Sequence, residues 1–214
     1  MEDRPIQFDE ETWASLPDYL SHLPETVRLH VWGDEKATAS EHEAAELARM
    51  LDNRFENIDF KLLPRRINYN YYPVIGIMRL DGDEAIDHGV RFIGLPVGYQ
   101  MTSLISAIQS VAFHGMTSEA MTRIQLKKLR HEVTLELITS AEDEAGTVMA
   151  HRVCNLAVVS PWIRTYIIMG DAFPEAVIRY SVNRIPHLVI NERVHLEGIV
   201  DEKMILEHIA SSIP

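Results

Sequence analysis

Ile185-Pro186-His187-Leu188-Val189-Ile190-Asn191-Glu192-Arg193-Val194-His195-Leu196-Glu197-Gly198-Ile199 holds the pattern on which the fold turns. An X-Pro pair introduces the apolar strand His187 to Ile190. Asn191-Glu192 supplies a turn, and Val194 to Ile199 returns. A closing helix follows from Asp201 to Ala210. The same order stands upstream. Tyr72-Pro73 introduces Val74 to Leu80, Asp81-Gly82-Asp83 is turn chemistry, and Gly89 to Ile93 returns ahead of a helix from about Thr102 to Phe113. Each block is preceded by strand, helix, strand. In the first half these are Val27–Trp32, a helix from Thr38 or Ser40 to Leu51, and Ile58–Leu63. In the second they are Val133–Ile138, helix 144–159 and Trp162–Met169, with a short helix Phe173–Val182 added.

The order strand, helix, strand, X-Pro, strand, turn, strand, helix therefore occurs twice. The strand-helix-strand parts imply parallel pairing, and the hairpins imply antiparallel additions. Two mixed four-stranded sheets flanked by helices are predicted, an α/β fold. One larger α/β domain without internal symmetry is the alternative. The expected layout is an N-terminal arm or helix over 1–23, a first unit over 24–114 and a second over 115–214.

Residues 5–22 read as a lead-in helix with Trp13, Leu16, Tyr19 and Leu20 at helical spacing. Ser40 with Glu43 has the form of a capping box, and Ala44, Leu47, Ala48 and Leu51 form one face. His114 to Ser118 marks a break. Helix 118–130 follows it, with Ile124 and Leu129 as core candidates. In helix 144–159, Met149, Val153 and Leu156 share a stripe.

A length of 214 residues with 46% hydrophobic content allows one large core or two modest ones. The net charge of -12 argues against general binding to nucleic acid or anionic membranes, which needs clustered Lys and Arg. Cys154 is the one cysteine, so no intramolecular disulfide forms. Met1-Glu2-Asp3-Arg4-Pro5 lacks a signal-peptide pattern, and no apolar run reaches membrane-spanning length. A soluble, cytoplasmic protein is expected.

The most specific string is Gly89-Val-Arg-Phe-Ile-Gly-Leu-Pro-Val-Gly-Tyr-Gln100. It resembles the end of the first unit in glutaredoxin-like protein disulfide oxidoreductases. It is also similar to the N-terminal domain of the alkyl hydroperoxide reductase flavoprotein. Both families are tandem thioredoxin folds. The resemblance covers about 24–210 in element order and is strongest in 89–118 and 183–199. It implies dithiol–disulfide exchange by a Cys-x-x-Cys at the start of a unit's first helix, where the helix terminus lowers the thiol pKa. Here the matching stretches are Asp143-Glu144-Ala145-Gly146 and roughly Thr38-Ala39-Ser40-Glu41, neither with a cysteine. Asp143, Gly146, Thr38 and Glu41 are thus vestigial redox positions, and no catalytic residue is expected. Gln100 stands where the family places an acidic residue facing the second-unit thiols. The resemblance also implies that cysteines returned to 143 and 146 would be close enough to bond.

By the same resemblance, Tyr72-Pro73 and Ile185-Pro186 occupy the cis-proline sites beside the redox helices. There the residue before proline can pair with an extended peptide. The plainer reading is that both prolines serve only the turn. A non-catalytic protein that binds a protein or peptide partner near peroxide-reduction or disulfide-handling systems is expected, without cofactor. A diverged thiol-disulfide oxidoreductase using Cys154 or a partner's thiol is the rival, and a structural role in a homo-oligomer stays open. Cys154 lies eight residues beyond Gly146, about 12 Å along a helix, too far to replace the lost thiols.

No metal is expected. The histidines lack ligand spacing with supporting carboxylates, and His42 with Glu46 reads as a solvated i,i+4 pair. His187 is placed within reach of Asp143 or Glu144. The cluster Glu142-Asp143-Glu144 opens a helix, with Asp143 a candidate N-cap; a recognition site for a basic partner is the alternative.

Overall fold

A computed structural model describes residues 10–115 and 120–213. Residues 1–9 of the expected arm and 116–119 of the expected break lie outside them. The elements are α1 (Glu10–Leu20), β1 (Val27–Trp32), α2 (Ala39–Arg54), β2 (Ile58–Leu63), β3 (Val74–Asp81), β4 (Glu84–Ile93), α3 (Tyr99–Ala112), α4 (Ala120–Leu126), β5 (Val133–Thr139), α5 (Glu144–Val159), β6 (Ile163–Met169), α6 (Pro174–Arg179), β7 (His187–Ile190), β8 (Val194–Glu197) and α7 (Glu202–Ser212).

The two halves repeat in detail. β1 pairs parallel with β2 and antiparallel with β3, which pairs antiparallel with β4. β5 pairs parallel with β6 and antiparallel with β7, which pairs antiparallel with β8. Even the joints match: Val27 N–H donates to Asn57 O at 3.0 Å, and Val133 N–H to Trp162 O at 2.8 Å. The expectation of two separate sheets needs correction. β4 and β6 pair in parallel, from Val90 with Thr165 to Ile93 with Ile168, giving one eight-stranded sheet in the order β2-β1-β3-β4-β6-β5-β7-β8. Apolar Phe92, Ile93, Ile167 and Ile168 line that seam, and joining them removes two open edges.

Alternation decides which face each strand residue joins. Leu29, Ile77, Phe92, Ile167 and Leu135 point toward α2, α3 and α5 and fall in one core cluster running through both halves. The opposite face carries a row linked residue by residue: Lys61, His30, Gly76, Arg91, Tyr166, Glu136, Val189 and His195. Beside it runs an apolar row with Trp32, Val74, Ile93 and Ile168, packed under Tyr69, Tyr71, Tyr72 and Phe173.

Local differences have local causes. The α2 N-cap is Thr38, which accepts from Glu41 N–H, so the expected Ser40–Glu43 box is displaced by two residues. Tyr19, at the edge of the buried stripe of Trp13, Leu16 and Leu20, is exposed. α4 buries Thr122 and Leu126, which leaves Ile124 outward. β4 starts at Glu84, ahead of a register shift that leaves Gly89 at φ 78°. α6 is shorter than expected, ending before Tyr180.

Several histidines are held neutral by this packing. Burial, then the nearby Arg28, Lys61 and Arg91, pushes His30 down to about 4. Burial also lowers His88, His151 and His187. Unfolding frees these rings to protonate near pH 6.5. Their contribution is therefore whole above pH 6.5 and drains away as the pH falls below it, in the case of His30 down to about 4. The Glu136 carboxyl, raised by burial, works in the opposite sense and offsets part of this loss. A net loss of roughly 2 kcal/mol is expected between pH 7.5 and 5, discounted for water around these partly buried rings. Urea unfolding at the two pH values measures it; equal stabilities would contradict the neutral-histidine account.

Candidate functional site

The two X-Pro positions come first, because the register places them. Trp32 pairs with Val74, so Pro73 sits one step further, beside Gly33 and the loop into α2. Ile138 pairs with His187, so Pro186 sits beside Thr139 and the loop into α5. Both the Tyr72–Pro73 and Ile185–Pro186 bonds are cis. Each proline carbonyl accepts a 2.8 Å bond from a glycine N–H, Gly94 in one half and Gly198 in the other. Ile185 remains 37% exposed, an apolar side chain open to a partner.

The residues that match the family's cysteine positions fall at equal positions of equal helices. α2 and α5 each have 16 residues. Thr38 and Asp143 are their N-caps, and Glu41 and Gly146 are the third helical residues whose N–H groups those caps accept. The capped N–H needs an oxygen acceptor, which both caps supply.

In the first half the position holds a buried carboxylate. Glu41 is 1% exposed, yet its oxygens are engaged from several sides. Asp34 N–H donates at 2.7 Å, Thr38 Oγ1 at 2.8 Å and Arg65 Nε at 2.9 Å, with Arg65 Nη2 on the second oxygen. Burial alone would raise the carboxyl, but these bonds prevail and hold it below its ordinary value. The Arg65 guanidinium also lies 5.1 Å from the Tyr72 ring centroid. Tyr72 Oη in turn accepts from Arg66 N–H at 2.6 Å. Helix α2, segment 64–73 and the X-Pro pair are thereby tied together.

In the second half the corresponding helix start is held by Asp143 together with Gln100, Thr139 and Ser103. Gln100 is fully buried, and its Nε2 reaches Thr139 Oγ1 at 3.0 Å, Ser140 O at 3.1 Å and Asp143 O at 3.0 Å. Ser103 Oγ donates to Gln100 Oε1 at 2.8 Å, and Thr139 Oγ1 to Asp143 Oδ2 at 2.9 Å. Gly98, at φ 58°, lets the start of α3 approach this loop; a Cβ there would lie 2.4 Å from Ala141 O. The α3 terminus of one half thus buttresses the helix start of the other.

Gln100, Asp143 and Gly146 are therefore brought together, and so are Thr38 and Glu41. His187 is not where it was expected. Its Nε2 is 2.9 Å from His195 Nδ1, and Glu197 lies beyond, so it belongs to the β7–β8 hairpin rather than to Asp143 or Glu144. Thr139, Ser103 and Arg65 were missed. Only the alternation of Val133–Ile138, which stops one residue short of Thr139, hinted at any of them. Cys154 is buried in α5 with its thiol pushed far up by burial, the setting of an unreactive core thiol. An open groove of 660 Å³ lies on the other face of the sheet at the seam, with Tyr69, Tyr71, Tyr166 and Glu136 on its walls and floor. No described helix is long and apolar enough to cross a membrane.

A repeated unit of this topology, with an X-Pro pair beside each first helix, defines a tandem thioredoxin-like protein. Known proteins bear this out at the level of the fold. The alkylhydroperoxide reductase AhpF of Enterococcus faecalis superimposes with a TM-score of 0.85 at 16% identity, over 95% of this chain and 99% of that one. A protein disulfide oxidoreductase from Aeropyrum pernix gives 0.83 at 16% identity, over 95% and 93%. In sequence, the chain is 28% identical over 127 residues to the alkyl hydroperoxide reductase AhpF of Pseudomonas putida, covering 59% of this chain and 24% of that protein. It is 22% identical over 198 residues to an NADH dehydrogenase of Ferdinandcohnia aciditolerans, covering 92% and 36%. The chain thus spans about a quarter to a third of the length of the curated relatives it matches. No protein-family model matches the chain.

Proposed function

We propose that this is a thioredoxin-like binding protein that has lost dithiol chemistry and engages an extended segment of a protein partner at its X-Pro loops. The observation that carries the reading is the refilling of both redox positions. Glu41 and Asp143 are each locked in hydrogen bonds where a thiol pair would need freedom to attack and resolve a disulfide. The remaining thiol, Cys154, is buried and held protonated. The exposed Ile185 before Pro186 offers the apolar contact, and the backbone beside it suits strand addition. A partner in peroxide reduction or disulfide handling is favoured by the names of the relatives.

Two measurements test this. The protein is expected to show no turnover of insulin disulfides with an added electron donor, and Cys154→Ser to leave that unchanged. Thiol-dependent turnover lost in Cys154→Ser would establish the rival oxidoreductase instead. Peptides selected from an extended-peptide library are expected to lose at least tenfold in affinity for Ile185→Asp. Unchanged binding would move the contact away from Pro186.

A further inference from the structure

We propose that Glu35, His42 and Glu46 form a site for a divalent transition-metal ion at the start of α2. One ligand atom from each residue lies within 4.8 Å of the others. His42 and Glu46 are one turn apart on the same helix face, the spacing that lets two side chains share an ion. Glu35 comes from the loop ahead of the helix. That loop is fixed, since Asp34 N–H donates to Glu41 at 2.7 Å, Lys36 N–H to Asp34 Oδ1 at 3.0 Å and Ala37 N–H to Asp34 O at 2.8 Å. The third ligand is thus held near the other two before any ion arrives.

The donor set chooses the ion. One imidazole and two carboxylates suit Zn²⁺, Co²⁺ or Ni²⁺, whereas Mg²⁺ and Ca²⁺ prefer oxygen ligands throughout. Three protein ligands leave room for water in a fourth position. Arg49 now bridges the carboxylates, 2.8 Å from Glu35 Oε1 and in close contact with Glu46. It holds two like charges together and must withdraw when the ion binds. A bound ion would pin the loop that carries Asp34 to the helix that carries Thr38 and Glu41. The i,i+4 pair is visible in the sequence, but a loop separates Glu35 from it.

Zn²⁺ titrated by calorimetry into chelator-treated protein tests the site. One equivalent is expected to bind. His42→Ala and Glu35→Gln should each weaken binding at least tenfold, Arg49→Met should tighten it severalfold, and His131→Ala, which removes an exposed histidine elsewhere, should leave it unchanged. Circular dichroism of each variant confirms that it is folded. No uptake, uptake undiminished in His42→Ala, weaker uptake in Arg49→Met, or Mg²⁺ binding as tightly as Zn²⁺ would each overturn the proposal.

Discussion

Glu41→Ala is expected to destabilise the protein by about 2–4 kcal/mol, the cost of removing a buried carboxylate together with its charge-assisted hydrogen bonds. The truncation strips the acceptor from Asp34 N–H, Thr38 Oγ1 and both Arg65 nitrogens at once. Arg65 itself can recover part of the loss, because its side chain is 46% exposed and can turn to water. Asp34 and Thr38 are exposed as well, and Thr38 still caps the helix, so the loss is set by the broken bonds and the vacated buried site. Arg65→Ala leaves the carboxylate buried but keeps its bonds to Asp34 and Thr38, so a smaller loss than that of Glu41→Ala is expected. The double variant should cost less than the sum, since the partners share one network. Urea unfolding of the three variants measures these terms. A loss below roughly 0.5 kcal/mol for Glu41→Ala would place the residue among ordinary surface positions and remove the argument that it refills a redox position.

The contrast between the two halves shows what a sequence of this kind discloses. The repeat was legible because X-Pro, alternation and turn residues are local signals, and each half carries them in the same order. The positions of Thr38, Glu41, Asp143 and Gly146 followed from the family resemblance, and both pairs fall at a cap and a third helical residue. The partners that fill those positions were not legible. Arg65 lies 24 residues from Glu41, and Gln100 lies 39 from Thr139, so no periodicity links them. The joining of β4 to β6 was hidden for a related reason. Strands as rich in large apolar residues as Phe92–Ile93 and Ile167–Ile168 read alike whether they end a sheet or sit at its centre. His187 was misplaced because a proline-adjacent histidine can turn to either neighbour, and only the β7–β8 register directs it to His195.

Gly146→Cys is expected to cost about 3 kcal/mol or more, as forced overpacking of a filled core site does. A Cβ at 146 would lie 2.1 Å from Thr139 Oγ1 and 2.7 Å from Asp143 Oδ2. Neither oxygen is free to move: Thr139 bonds Asp143 and Gln100, and Asp143 caps the helix. The pair Asp143→Cys, Gly146→Cys removes one obstruction and keeps the closer one. It also deletes the cap. This double variant, made in a Cys154→Ser background, is therefore expected to be unstable even though an i,i+3 pair on a helix lies within bonding reach. Adding Thr139→Ala should recover part of the stability and allow the two thiols to close under mild oxidation, as counted by thiol titration. Gln100→Glu should not help, because the glutamine amide donates to carbonyls of Ser140 and Asp143 that a carboxylate would repel. The order of these outcomes bears on the proposed loss of a redox site. If the double variant is stable and bonds readily without Thr139→Ala, then the residues around Gly146 have room for a thiol, and only the cysteines themselves have gone. If Thr139→Ala is required, the surroundings have closed over the old position. Restoring the chemistry then takes repacking of a buried polar network rather than two substitutions.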